Sequence, residues 1–167
     1  MFPSPLPHGA SDADRGARYA DVHANLVALL VGETDAVAAM ATVVAELHHA
    51  FAAFHWTGFY RTIAHQLLAV GPYQGGHGCT RIPYDRGVCG AAARTAEVQL
   101  VPDVHAFEGH IPCSGSTRSE VVVPVFGTTG EVIGVLDIDS DHPAAFDELD
   151  ARELASIAGL LRSFERL

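Results

Sequence analysis

The chain contains no lysine, and its ten basic residues are all arginines set against twenty acidic residues. The formal charge of −10 and the lack of a basic stripe argue against a nucleic-acid partner, because such partners require cations that neutralise phosphates. The same acidity argues against binding to anionic membrane surfaces. The sequence also lacks any apolar run near the roughly 18 residues that a membrane helix needs, so no membrane span is predicted.

The N-terminal region lacks the basic segment and apolar stretch of a secretory signal. Proline, serine and glycine in its first residues predict a flexible lead-in over residues 1–16. The remainder, 17–167, is predicted to form a single domain, since a chain of this length buries a core without staples. An odd number of cysteines without a signal argues against a secreted disulfide framework and predicts a cytoplasmic protein.

Hydrophobic periodicity predicts helices at both ends of the chain and strands between them. The predicted helices are 17–31, a second one capped by Thr34 and Asp35 that runs to about Phe51, a short one at 87–95, and 146–167. The predicted strands are 56–63, 66–70, 98–101, 119–126 and 131–139, with loops at 71–85 and 102–117. Hairpins outnumber βαβ units, so the predicted fold class is α+β with a mainly antiparallel sheet.

The three cysteines, Cys79, Cys89 and Cys113, all fall within one 35-residue stretch of Gly/Pro-rich loop sequence. Thiols on loops are accessible, and redox chemistry requires access. A single free cysteine is more often a small buried hydrophobe, but three in such sequence favour redox or metal chemistry.

A zinc site is the competing use of these cysteines, because His77, His105 and His110 lie near them in the sequence. The cysteine spacings of ten and twenty-four residues contain no CxxC or CxH knuckle, so no metal is predicted. The chain also lacks GxGxxG, Walker A, HExxH and GxSxG motifs. Nucleotide-binding, metalloprotease and serine-hydrolase functions therefore have no support, and no cofactor is predicted.

The last predicted strand carries two acids. Side-chain alternation places Asp137 and Asp139 on one face together with Ile133 and Val135. The pair is either a solvated strand end or an acidic site that binds a cation or raises the pKa of one carboxyl group. Glu120, at the start of the preceding strand, is a candidate third member, although the pattern does not settle which face it occupies.

Trp56 and Tyr60 lie four residues apart on one predicted strand and therefore share a face. Such a pair usually packs in a core. The alternative is a pocket wall, because aromatic rings make favourable contacts with sulfur groups. The spacing is compatible with both interpretations.

Several segments together resemble the free methionine-(R)-sulfoxide reductases, which are single-domain GAF proteins. These segments are WTGFY, LAVGPYQG, GCTRIPYDRGVCGAAA, QLVPDVHAFEGHIPC, SEVVVPV and IGVLDIDS, and the resemblance covers about residues 20–160. It implies a GAF fold, with the terminal helices on one face of an antiparallel sheet and a loop-enclosed pocket on the other. It also implies reduction of free methionine-(R)-sulfoxide, with thioredoxin and its NADPH-dependent system as the external reductant, and a possible homodimer.

The resemblance also implies roles for individual residues. Cys113 matches the catalytic cysteine, Cys79 the principal resolving cysteine and Cys89 the third cysteine of the family. The substrate-binding residues match Trp56, Tyr60, Glu120, Asp137 and Asp139. We expect a cycle through a sulfenic acid and a disulfide, with Glu120 or one of the two aspartates as the proton donor and Cys89 either as an alternative resolving thiol or as part of the pocket. The alternative function is a non-catalytic GAF module that binds a small molecule or senses redox state.

Overall fold

The computed structural model describes residues 2–111 and 113–167. Its helices are α1 (Asp12–Leu29), α2 (Ala36–Ala50), α3 (Gly87–Thr95) and α4 (Glu148–Ala158). Its strands are β1 (Trp56–Ala64), β2 (Leu67–Gln74), β3 (Arg81–Pro83), β4 (Gln99–Val101), β5 (Ser119–Phe126) and β6 (Val132–Ser140). Short 3₁₀ turns occupy Val104–Ala106 and Gly159–Leu161.

The strands form one antiparallel sheet in the order β3-β2-β1-β6-β5-β4. The hairpins β1–β2 and β5–β6 follow the chain, whereas the pairing of β1 with β6 joins segments that are distant in sequence. This arrangement confirms the predicted α+β class with an antiparallel sheet. It places β1, β6 and β5 side by side at the centre.

The two faces of the sheet are covered by different elements. One face packs against α1, α2 and α4, and Phe59, Leu136 and Ile138 are fully buried there. The other face packs against α3 and the loops, where Tyr60 and Val135 are buried. Because side chains alternate along a strand, each central strand supplies residues to both layers. The terminal helices lie on one face and leave the other to α3 and the loops, as predicted.

The predicted placement of Ile133 on the acidic face of the last strand is wrong, because a β-bulge interrupts the alternation. Val125 pairs with Gly134, but the next residue, Phe126, pairs with Val132, so Ile133 is an extra residue on β6. Ile133 therefore packs with the helix-side core instead of sharing a face with Asp137. The alternation rule failed here because a bulge inverts it on one side of the extra residue.

The first helix begins at Asp12, whereas the sequence predicted residue 17. Ser11 caps it, because the Ser11 hydroxyl accepts a hydrogen bond from the Asp14 amide at 3.2 Å. The chain before this helix contacts the end of α2, since the Leu6 amide donates to the Ala50 carbonyl. The flexibility assigned to residues 1–16 stays a prediction, but helical structure begins within that range.

Other boundaries also differ from the prediction. Strand β2 continues to Gln74, and β3 lies inside the predicted loop 71–85, because three residues are too short for alternation to reveal a strand. Helix α4 begins at Glu148 and ends at Ala158, so it is shorter than the predicted 146–167. None of the helices that the structure describes has the length and apolar character needed to cross a bilayer.

A buried polar network joins α1 to α4. Arg15 forms ion pairs with Asp147 and with Asp150, whose side chain is almost completely buried. The Tyr19 hydroxyl donates to the other carboxylate oxygen of Asp150 at 2.8 Å. A buried carboxylate is stable only when its oxygens are paired, so these contacts hold the first and last helices together.

We predict that Tyr19→Phe lowers the free energy of unfolding by about 1–3 kcal/mol, because one Asp150 oxygen loses its buried donor. Tyr73→Phe is the matched control, since Tyr73 is 36% exposed and its hydroxyl can bond to water. Urea denaturation of the two variants provides the measurement. Equal stability of both variants would show that the Tyr19 hydroxyl contributes nothing.

Candidate active site

A small pocket lies on the sheet face that the long helices leave open. Its floor is formed by β1, β5 and β6, its side by the start of α3, and its rim by two loops. The lining residues are Trp56, Tyr60, His77, Gly78, Ile82, Gly87, Val88, Cys89, His110, Ile111, Cys113, Ser114, Thr117, Glu120, Asp137 and Asp139. The structure thus brings together every predicted site residue except Cys79, which lies beside the pocket and is bonded to Cys113.

Strand register determines the composition of the pocket floor. Asp139 on β6 lies opposite Trp56 on β1 and opposite Glu120 on β5. Asp137 lies opposite Gly58. Since residues directly opposite in a sheet point to the same face, the three acids and Trp56 are neighbours on the floor. The side of Glu120, which the sequence left open, is therefore the side of the two aspartates.

Cys89 points into this group of acids from α3. The Cys89 thiol donates to the Asp137 Oδ2 atom at 3.2 Å and lies 4.0 Å from Glu120 Oε1. All three side chains are buried, with exposed fractions of 3%, 5% and 6% for Cys89, Asp137 and Glu120. A thiol and two carboxyl groups thus share one buried cluster, where each affects the protonation of the others.

The pKa values of the acids are raised. Burial raises the pKa of Asp137 to about 7, although hydrogen bonds with Cys89 and Glu120 oppose the shift. Burial, with repulsion from Asp137, also raises the pKa values of Glu120 and Asp139 well above their ordinary range. The Asp137 Oδ1 atom is buried without a hydrogen-bond donor among the described residues. The cluster therefore holds protons at neutral pH.

No arginine neutralises these acids. The ion pairs formed within the described residues do not include Glu120, Asp137 or Asp139. Their negative charge must be balanced by protons or by a cationic ligand, because an uncompensated buried charge is very costly. By distance alone, Cys89, Glu120 and Asp137 could also hold a metal ion, since their ligand atoms lie within 4.8 Å of one another. Protons on the same atoms compete with a metal, and the expected absence of a metal stays a prediction.

The cysteines occupy two different states. Cys79 and Cys113 form a disulfide that spans 34 residues of sequence, with their Cα atoms 5.2 Å apart. Cys89 is a free, buried thiol, and burial together with Asp137 and Glu120 raises its pKa well above the ordinary value. A buried protonated thiol is a poor nucleophile. In this state Cys89 contributes to the shape and polarity of the pocket.

The aromatic wall supports a loop as well as lining the pocket. The Trp56 ring stacks between Tyr60 and Tyr73, with ring centroids 5.8 and 5.4 Å away. The Trp56 Nε1–H donates to the Gly76 carbonyl at 3.1 Å, which attaches the loop before Cys79 to β1. Burial and the nearby Asp137 raise the pKa of Tyr60, so its hydroxyl stays protonated.

Sequence reasoning missed part of the rim. His77 and His110, which the sequence offered as zinc ligands, both line the pocket, and the His105 ring lies edge-on to the His110 ring with centroids 6.3 Å apart. Burial and the neighbouring His105 lower the pKa of His110, so its imidazole is neutral at neutral pH. The available signal was their position within two residues of Cys79 and three residues of Cys113. The cavity in the pocket has a volume of about 30 Å³, enough for one or two waters.

Comparisons with known proteins show which family this chain belongs to. A family model described as GAF domain matches residues 16–163. The free methionine-R-sulfoxide reductase of Escherichia coli (strain K12) is 40% identical over 143 residues, which cover 86% of each protein. GAF domain-containing protein A of Dictyostelium discoideum is 41% identical over 151 residues, covering 90% of this chain and 94% of that protein.

A solved structure gives the same result. The free methionine-R-sulfoxide reductase from Neisseria meningitidis, in complex with its substrate, matches with a TM-score of 0.86 and 42% identity. The match covers 96% of this chain and 93% of that one. The chain therefore belongs to the free methionine-R-sulfoxide reductases, a family of oxidoreductases built on the GAF domain.

Proposed function

We propose that this protein reduces free methionine-(R)-sulfoxide to methionine, with Cys113 as the nucleophile and Cys79 as the resolving cysteine. The observation that carries the proposal is the convergence in one pocket of a cysteine that can form a disulfide, a group of buried acids and an aromatic wall. Sulfoxide reduction requires a thiolate, a proton source and a place for the methyl group. The names of the relatives support the same reaction.

In the first step the Cys113 thiolate attacks the sulfoxide sulfur while the sulfoxide oxygen accepts a proton. The sulfoxide sulfur gains two electrons and becomes the thioether of methionine. The Cys113 sulfur loses two electrons and leaves the step as a sulfenic acid that carries the oxygen. An ionised acidic cluster would oppose the thiolate, but protons on Glu120 and its neighbours remove most of that opposition.

The proton comes from the acidic cluster. Glu120 and the two aspartates lie on the floor, and their raised pKa values keep a proton available near neutral pH. The remaining negative charge pairs with the ammonium group of the substrate. This pairing gives a reason for selectivity, because methionine within a peptide lacks that cation.

In the second step the Cys79 thiolate attacks the Cys113 sulfenic acid. The S–S bond forms, the S–O bond breaks, and the departing oxygen takes a proton from the acidic cluster and leaves as water. The resulting disulfide is the bond present between these two residues. Thioredoxin then reduces it by thiol–disulfide exchange, which requires the loop 102–117 to move. Residue 112 of this loop lies outside the described residues.

Four expectations stay predictions: the thioredoxin system as reductant, the absence of a bound cofactor, a homodimer and a cytoplasmic location. The rival function is a non-catalytic GAF module in which the cysteines sense redox state, and it is supported by relatives that are named only as GAF proteins. Turnover distinguishes the enzyme from the sensor.

We predict that the reduced protein converts the R epimer of free methionine sulfoxide and leaves the S epimer unchanged. The assay couples turnover to NADPH oxidation through thioredoxin and thioredoxin reductase. Cys113→Ser is expected to abolish turnover because the nucleophile is lost. Binding of the R epimer without turnover, in protein with its thiols confirmed as reduced, would instead support the sensor function.

We predict that Asp137→Asn and Asp139→Asn each lower kcat/KM about 10- to 100-fold, as expected when a charged hydrogen bond worth about 1.5–3 kcal/mol is lost. Asp141→Asn is the matched control on the exposed end of the same strand region. Steady-state kinetics with the free R epimer provide the measurement. Wild-type kcat/KM in both test variants would refute the acidic site.

We predict that the acidic cluster makes the free energy of unfolding fall as pH rises. Raised pKa values mean that the folded state binds more protons than the unfolded state between the ordinary carboxyl pKa, about 4, and the value of about 7 for Asp137. The loss is up to about 1.4 kcal/mol per pH unit for each excess proton. Urea denaturation at several pH values should give a shallower slope for Asp137→Asn than for wild type.

Asp141→Asn again serves as the control and should keep the wild-type slope. The comparison between variants is needed because His48 and His55 titrate with the opposite sign: burial lowers their pKa values, so their contribution rises with pH. Identical slopes for wild type and Asp137→Asn would show that this carboxyl group is ionised throughout the range.

A further inference from the structure

We propose that Trp56 and Gly78 are positioning residues for Cys79. Together they hold the loop of residues 75–79 where the Cys79 sulfur reaches the Cys113 sulfur. The inference rests on the proposed function, in which Cys79 resolves the sulfenic acid of Cys113. In this proposal Trp56 helps to position Cys79 for the second step, in addition to lining the pocket.

The loop 75–79 has little backbone support of its own. Within these five residues, all of which the structure describes, no amide or carbonyl forms a backbone–backbone hydrogen bond outside the strands. The next such bond joins the Val70 amide to the Thr80 carbonyl at 3.2 Å. The indole of Trp56 provides the missing support, since its Nε1–H donates to the Gly76 carbonyl at 3.1 Å. A single side-chain donor thus replaces the ladder that would hold a strand.

Gly78 packs directly on the aromatic wall. A Cβ atom at this position would lie 2.9 Å from the Tyr60 hydroxyl oxygen and 3.0 Å from the Trp56 Cζ2 atom. Both rings are buried, with exposed fractions of 2% and 3%, and they stack on each other. Because both rings are buried and stacked while the loop has little backbone support, we expect a side chain at position 78 to push the loop away from β1. Cys79 is the next residue and would move with it.

The position of the indole is also restricted by close contacts with its own strand. A Cβ atom on Gly58 would lie 2.6 Å from the Trp56 Cη2 atom, so the ring has no space on the strand side. Gly75 has a φ of +111°, which favours glycine, and a Cβ atom at this position would lie 2.6 Å from the His55 carbonyl oxygen. Glycines therefore pack closely around Trp56, and contact with its ring sets the distance between the loop and the sheet.

The position of Cys79 matters because disulfide formation tolerates little displacement. Bonded cysteines have Cα atoms about 4.4–6.8 Å apart, and Cys79 and Cys113 are at 5.2 Å. A displacement of about 1 Å can slow a reaction about 100-fold. Only the second step uses Cys79: its sulfur attacks the Cys113 sulfenic sulfur, the S–O bond breaks and water leaves. Displacing the loop should therefore slow this step relative to the first.

The test is a single-turnover experiment with Gly78→Ala and its matched control Gly76→Ala. Gly76 lies in the same loop, and a Cβ there would meet nothing within 4 Å. Pre-reduced protein, freed of reductant, is mixed with one equivalent of free methionine-(R)-sulfoxide and quenched at intervals. Methionine reports the first step, intact-mass analysis reports the Cys79–Cys113 disulfide, and dimedone traps the sulfenic acid.

In wild type and Gly76→Ala, we expect methionine and disulfide to form together. In Gly78→Ala, the rate of disulfide formation divided by that of methionine formation should fall at least tenfold, with trapped sulfenic acid accumulating. An unchanged ratio in Gly78→Ala would overturn the inference. Equal slowing of both steps would also overturn it, because the substitution would then act on the pocket as a whole.

Trp56→Phe keeps an aromatic ring on β1 but removes the donor to Gly76, so it tests the proposal even if Gly78→Ala folds poorly. We expect the same ratio to fall about 3- to 10-fold, the size of one lost hydrogen bond of about 1 kcal/mol. A wild-type ratio in this variant would remove Trp56 from the proposal.

A second arm separates failure of the inference from failure of the proposed function. Hydrogen peroxide oxidises a cysteine thiolate to a sulfenic acid and releases water, so disulfide formation can be followed without the sulfoxide. If wild type gives no methionine from the R epimer, the proposed function fails. If peroxide then yields the disulfide at equal rates in Gly78→Ala and Gly76→Ala, the positioning role fails as well.

Discussion

The pairing of β6 with β1 on one side and with β5 on the other is the constraint from which the site follows. It places acids from β5 and β6 on the same buried surface as Trp56 of β1, which is far from them in sequence. A slip of one residue in either pairing would turn these side chains into the helix-side core, where Leu136 and Ile138 now lie. The hydrophobic requirement of that core therefore holds the acids in the pocket.

Burying acids without an arginine beside them leaves negative charge that protons or a cationic ligand must neutralise. In the described part of the chain, the fixed cations lie elsewhere: Arg15, for example, pairs with the acids that join α1 to α4. The contrast separates two uses of buried carboxylates. Asp150 is paired with Arg15 and Tyr19 and stabilises the fold. Glu120 and Asp137 have no cation beside them among the residues that the structure describes, which suits the proton exchange and ammonium binding of the proposed reaction.

Much of the fold was readable from periodicity and turn chemistry. Helix α2, β1 and the β5–β6 hairpin were predicted close to their observed bounds, because long periodic segments carry a strong signal. The errors have local causes. Strand β3 is too short to show alternation, the bulge at Ile133 inverted one face, and the cap at Ser11 started α1 early.

The sequence by itself determined the types of reactive group and their grouping: three cysteines in one loop-rich stretch, and Asp137 and Asp139 two apart on a strand. It could do so because chemistry depends on residue type and alternation depends on spacing. The residue pattern left open whether Glu120 joins those acids and which thiol pairs with Cys113, although the resemblance implied both answers. The tertiary structure supplies the contacts: Glu120 lies opposite Asp139, Cys79 is bonded to Cys113, and the indole of Trp56 supports the loop beside it. These are contacts between distant segments, and only the sheet register and the packing of loops on it bring them together.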